Sequence, residues 1–347
     1  MTSTPNADLR LQSLERWIAG LPGAPVQRIA PASSDASFRR YFRVCREGGG
    51  TQVAMDAPPE REALDAWLQA ARILSAAGVH VPEVIAADAE QGFVLIGDLG
   101  RQHYLEALAA GADPDPLYAD AIDALVRMQS AGTAHASVLP PYDRELLMRE
   151  MELFPEWFLG RHLGLAPDAA QRRTVAGAFD WLCDQALAQP VVLVHRDYHS
   201  RNLLVSSGGS PGIVDFQDAV RGPVSYDLVS LLKDCYIVWP RARTLAWLDR
   251  YRARAAAAGI DVGADRAQFL GWFDRMGLQR HLKVLGIFAR LWHRDGKAGY
   301  LGDLPRVLDY ALEATAAEPA LADFDAYLRR QVAPAFSAVA RRTGTAR

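Results

Sequence analysis

Apolar residues at Leu9, Leu11, Leu14, Trp17 and Ile18 recur at helical spacing and stop at Gly20 and Pro22, which predicts one short amphipathic helix. The period then changes. Residues 37–44 and 51–55 are strand-like runs on either side of Gly48-Gly49-Gly50, the signature of an antiparallel hairpin. Pro58 and Pro59 open a second helical pattern in which Leu64, Trp67, Leu68, Ala71 and Leu74 share a face, and Gly78 closes it. Another hairpin is predicted over residues 84–96, turning between Asp88 and Gly92.

Beyond Asp98-Leu99-Gly100 the texture becomes Ala- and Leu-rich with helical periodicity, interrupted by a compact strand-and-loop region over residues 191–218. The boundary falls near Gly97, giving a sheet-plus-helix unit over residues 1–97 and a helical unit over 98–347. With 347 residues, half of them hydrophobic, the chain is long enough to bury a large core, and disorder is excluded. A net charge of −3 argues against nucleic acid as the main partner. Charges interrupt every apolar segment, the first ten residues lack the basic and apolar runs of an export signal, and the three cysteines have no CxxC spacing. A soluble, cytoplasmic protein is expected, bound to no membrane.

The strongest chemical signal follows the buried-strand run Val191-Val192-Leu193-Val194. It delivers His195-Arg196-Asp197-Tyr198-His199-Ser200-Arg201-Asn202. Leu203-Leu204-Val205 and Ile213-Val214-Asp215-Phe216 then read as a hairpin turned by Gly208-Gly209-Ser210-Pro211-Gly212. An Asp, four intervening residues, an Asn, a hairpin and a second Asp suit phosphoryl transfer from ATP, because three polar groups must converge at the ends of adjacent strands. Asp197 is placed to receive the substrate hydroxyl's proton, and Asn202 and Asp215 to hold Mg²⁺ against the nucleotide phosphates.

These residues resemble the aminoglycoside phosphotransferase and choline kinase-like group, relatives of the protein kinases. The resemblance implies an α+β, two-lobed, protein-kinase-like fold: a small antiparallel-sheet N-lobe for nucleotide and a mostly helical C-lobe with catalytic loop, metal site and acceptor pocket. It departs from the group at Arg196, where Gly is usual. Asp35-Ala36-Ser37-Phe38-Arg39-Arg40-Tyr41-Phe42-Arg43, Met55-Asp56-Ala57-Pro58-Pro59, residues 215–223 and residues 278–290 resemble the bacterial members that phosphorylate an N-acetylated amino sugar. That implies transfer of the γ-phosphoryl of ATP to the C1 hydroxyl of N-acetylmuramate and N-acetylglucosamine, giving the α-1-phosphate in cell-wall recycling.

By the same resemblance, Ser33-Ser34-Asp35-Ala36-Ser37 occupies the place of the phosphate-covering turn, although it lacks glycine. The third strand, Val53-Ala54-Met55-Asp56, lacks the usual Lys, so Arg39, Arg40 or Arg43 is expected to supply the cation. His195, Arg196 and Asp227 are expected to brace the catalytic loop. Asp218, Lys233, Asp234, Arg280 and Lys283 are candidates for the sugar, a cation being suited to a lactyl carboxylate. Arg201 reads equally as phosphate-facing or solvent-facing. Rival readings are a small-molecule kinase acting on an aminoglycoside, choline or homoserine, and a nucleotide-binding pseudokinase; protein partners are not legible.

Overall fold

The computed structural model describes residues 8–34, 38–62 and 64–343. Helix α1 (Leu9–Ala19) starts where the Asp8 carboxylate accepts the Leu11 N–H at 3.0 Å, and it buries Leu14 and Ile18. Behind it lies an antiparallel sheet of β1 (Val26–Ser34), β2 (Arg40–Arg46), β3 (Thr51–Asp56), β4 (Val84–Asp88) and β5 (Phe93–Gly97), in the order β1-β2-β3-β5-β4. Strand alternation sorts the side chains. Phe42, Val44, Ala54, Phe93 and Leu95 pack with α1, whereas Met55, Val94 and Ile96 face the other way.

Helix α2 (Leu64–Ala76) packs on that second face through Trp67, Ala71 and Leu74. It begins later than the prolines suggest. Residues 58–62 form a separate turn ahead of it, in which Pro58 O accepts the Arg61 N–H at 2.9 Å and the Glu62 N–H at 3.0 Å. The edge strand β1 has little alternation to read, because its register shifts between Val26 and Arg28 and again between Pro31 and Ser33.

The rest is helical: α3 (Tyr104–Ala109), α4 (Pro114–Thr133), α5 (Arg144–Met151), α6 (Ala169–Leu187), α7 (Tyr226–Leu232), α8 (Arg241–Ala257), α9 (Arg266–Asp295), α10 (Leu304–Ala316), α11 (Ala322–Tyr327) and α12 (Ala333–Thr343). Among them sit β6 (Val191–Val194), paired with β9 (Val220–Pro223), and the short hairpin of β7 (Leu203–Leu204) and β8 (Gly212–Ile213). The hairpin arms are shorter than their apolar runs. Val214 leaves the ladder to donate its N–H to Asn202 O at 3.1 Å, and Asp215 takes a φ of 65°, which no strand continues through.

One continuous apolar core runs from Met55 in the sheet to Val339 in the last helix, with α9 buried along much of its length. Among the described residues, no helix is long and apolar enough to cross a membrane.

Candidate active site

Strand β6 is anchored by its apolar residues and by the Leu193 N–H, which donates to Thr133 Oγ1 at 3.0 Å. The chain leaving it is held by Asp227 in the first turn of α7. One Asp227 oxygen accepts the His195 N–H at 2.7 Å and the other the Arg196 N–H at 3.0 Å. Burial raises the Asp227 carboxyl to about 7, because these two bonds offset only part of the desolvation. Arg196 adopts a φ of 76°, in the left-handed region where Gly is at ease and other residues are strained by about 1–2 kcal/mol.

The loop ahead is held at a second point. Asp234, just after α7, accepts the Ser200 N–H at 3.0 Å and the Ser200 hydroxyl at 2.5 Å. Between these anchors the Asp197 carboxylate is about one-third exposed, while His195 beneath it is fully buried. Burial lowers the His195 imidazole to about 4, so the ring is neutral and its Nδ1 accepts the Asp197 N–H at 3.3 Å. Asn202 closes the loop, donating from Nδ2 to Asp197 O at 3.0 Å and to the Asp215 carboxylate at 3.2 Å. Gln217 Nε2 donates to the other Asp215 oxygen at 2.9 Å.

Under the loop lies a charge network that connects α5, α7 and α9. Buried Glu150 accepts bonds from the Tyr142 hydroxyl, the Arg196 guanidinium and Lys283 Nζ, the last at 2.8 Å. Lys283 and Arg280 both donate to the Tyr226 hydroxyl, at 3.2 and 3.1 Å. Arg280 also donates to Arg196 O at 2.8 Å and stands 3.8 Å from the Asp197 carboxylate. Burial would raise the Asp197 carboxyl, but the charges of Lys283 and then Arg280 outweigh it and hold the group well below the usual carboxylate range. Glu150 is likewise brought down to about 2, with Lys283 and Arg196 overcoming its desolvation.

The structure thus brings together Asp197, Asn202, Asp215, His195, Arg196, Asp227, Asp234, Arg280 and Lys283. Asp218 lies at their margin, its carboxylate largely exposed and 3.8 Å from Arg196. Asp218, Arg196 and Gln217 line a cleft of about 440 Å³ whose other walls include Gln69 of α2 and Arg149 of α5. Lys233 is elsewhere, donating to Asp274 at 2.8 Å on α9. Arg43 clasps Asp98 through two bonds, at 2.6 and 3.0 Å, and donates to Gly100 O at 2.9 Å, fastening β2 to the segment after the sheet. Arg40 is committed to Asp8 and Asp56, and buried Arg39 approaches Glu62, ahead of α2, at 3.8 Å. Ser34 ends β1 opposite Arg40; Asp35, Ala36 and Ser37 lie outside the described residues.

Two groups at the site were not among the residues singled out from sequence. Glu150 stands in Arg149-Glu150-Met151-Glu152, a mixture of charges that reads as a solvated helix face. Burial lowers the His199 imidazole below its ordinary value, and its Nδ1 has no hydrogen-bond partner among the described residues. Its place two residues after Asp197 is the signal that was available.

A sheet covered by α1 on one face and α2 on the other, a helical remainder, and a loop whose Asp197 and Asn202 meet Asp215 beyond the next hairpin are the features of a kinase-like phosphotransferase. The chain belongs to the phosphotransferase enzyme family, whose model matches residues 28–270. It is 48% identical over 329 residues to a Pseudomonas putida KT2440 protein named N-acetylmuramate/N-acetylglucosamine kinase, covering 92% of this chain and 96% of that one. A protein of the same name from Pseudomonas aeruginosa PAO1 is 46% identical, covering 91% and 95%. Among solved structures, the ADP-bound aminoglycoside phosphotransferase APH(2'')-Ib superposes with a TM-score of 0.56 at 14% identity over 89% of this chain and 99% of that one. The two-lobed, kinase-like α+β fold expected from sequence is the one observed.

Proposed function

We propose that the protein is an ATP-dependent kinase that phosphorylates the C1 hydroxyl of N-acetylmuramate and N-acetylglucosamine to the α-1-phosphate, in the cytoplasmic recycling of peptidoglycan sugars. The observation that carries this reading is near-full-length similarity to kinases named for those two sugars, in a chain that keeps Asp197, Asn202 and Asp215 together. The unit up to Gly97 is assigned to the nucleotide, and the remainder to the acceptor.

Asp197 is the group that meets the acceptor. Its low pKa makes it a weak base, which suits a loose phosphoryl transition state in which the hydroxyl loses its proton late. The carboxylate orients the C1 oxygen toward the γ-phosphorus and receives the proton as the new P–O bond forms and the bond to ADP breaks. Asn202 and Asp215 offer hard oxygen donors side by side, a set that fits Mg²⁺, which takes one or two protein ligands and completes its shell with phosphates and water. Bound there, the ion would neutralise charge on the phosphates. Arg280 and Lys283 hold Asp197 ionised.

Purified protein with ATP and Mg²⁺, assayed for ADP release, tests the reading against N-acetylmuramate, N-acetylglucosamine, glucosamine, kanamycin, choline and homoserine. Turnover confined to the N-acetylated sugars is expected. Turnover only on a cationic acceptor would overturn the substrate, and no turnover on any would favour a nucleotide-binding pseudokinase.

A further inference from the structure

We propose that Arg201 recognises the carboxylate of the acceptor and so distinguishes the lactyl-bearing sugar from its neutral counterpart; the inference rests on the amino-sugar reading above. Arg201 immediately precedes Asn202 on the catalytic loop and is exposed. Its guanidinium carbon lies over the Tyr236 ring, 3.7 Å from the centroid, with the Tyr300 ring at 5.6 Å. A cation–π contact at this distance restrains the guanidinium while leaving its N–H groups free to bond a ligand.

The other cations around the loop are already matched within the protein. Lys283 is paired with Glu150, Arg196 with Glu150, Lys233 with Asp274, and Arg280 is bound to Tyr226 and Arg196 O beside Asp197. All but Arg196 are buried, and Arg196 is only partly exposed. No carboxylate among the described residues forms an ion pair with Arg201. Asp303 acts on it only through space, its own carboxylate being paired with Arg306 at 3.0 Å.

Arg201 also belongs to the same short loop as Asp197, four residues along. Both it and Asp197 act electrostatically on the His199 ring, which stands edge-on to Tyr236 at 5.5 Å. An acceptor whose C1 hydroxyl meets Asp197 would therefore extend along a wall made of Tyr236, Tyr300 and the Arg201 guanidinium. A planar cation held on these rings suits a carboxylate carried on the far side of the sugar.

The test is steady-state kinetics of Arg201→Ala and Arg201→Lys with N-acetylmuramate, N-acetylglucosamine and ATP. Loss of a charged bidentate contact should raise the KM for N-acetylmuramate by about 10- to 100-fold in Arg201→Ala, with N-acetylglucosamine changed by less than about 2-fold. Arg201→Lys, which keeps charge and loses the planar fork, should fall between. Turnover of the neutral sugar by the same variant reports that it is folded. Equal losses on both sugars, no change on either, or a rise confined to the KM for ATP would overturn the inference. If the parent phosphorylates neither sugar, the amino-sugar reading fails first and takes this inference with it.

Discussion

At Asp197 the physical contest is between burial, which favours a neutral acid, and two buried cations, which favour the carboxylate; the cations win. Asp197→Asn keeps the shape and loses the proton acceptor. Its kcat is expected to fall by about 100-fold or more while nucleotide affinity, read by calorimetry with ADP and Mg²⁺, stays within about 2-fold. Glu150 carries the cost of that arrangement. Its folded pKa, about 2, lies below the ordinary 4.5, so its ion pairs stabilise the protein fully above about pH 4.5 and are lost as the pH falls toward 2. The span corresponds to about 3 kcal/mol, and Glu150→Gln should remove most of that acid dependence from denaturant unfolding curves. The variant should also be destabilised at neutral pH by about 3–5 kcal/mol, because Arg196 and Lys283 would remain buried without their partner. An unchanged acid limb in the variant would contradict the role given to Glu150.

Elements explain why these side chains meet. Helix α7 supplies Asp227 from its first turn, the residues just past its end supply Asp234, and both grip the catalytic loop by backbone N–H groups. Helix α9 brings Arg280 and Lys283 beneath Asp197 and crosses the π-helical run Phe154–His162 closely at Gly286, where an added Cβ would meet the Leu153 carbonyl carbon at 2.3 Å. Gly286→Ala should therefore lower stability by about 1–3 kcal/mol in denaturant melts, with the backbone of one element forced to shift. A neutral effect would mean that the crossing is looser than described.

Sequence made the strongly periodic pieces legible: α1, the hairpin of β2 and β3, that of β4 and β5, and the strand leading to Asp197. It was silent where side-chain chemistry is set by distant packing. Nothing local separates Glu150 from its solvated neighbours, and nothing in Lys233-Asp234 says that the first residue turns to Asp274 and the second to Ser200. Arg196 is a different case, since its departure from the usual Gly was visible while the left-handed backbone that it must adopt was not.

Across the whole molecule, the core passes without a break from the sheet face bearing Met55 and Ile96 into the helices, and Phe216 next to Asp215 packs on Trp67 of α2 at 5.2 Å. The sheet and the helical part should unfold together. Coincident denaturant transitions by far-UV dichroism and by tryptophan fluorescence are expected, and two separated transitions would show that the units are independent. Continuity of this kind also ties the position of α2 to the loop that carries Asp215. The central claim concerns one oxygen atom, and the most direct measurement compares N-acetylglucosamine with its methyl glycoside, which lacks a free C1 hydroxyl, by ADP release and phosphorus NMR of the product. Turnover of the free sugar to an anomeric phosphate, with none on the glycoside, is the predicted result; phosphorylation of the glycoside, or a phosphate on any other hydroxyl, would contradict the account.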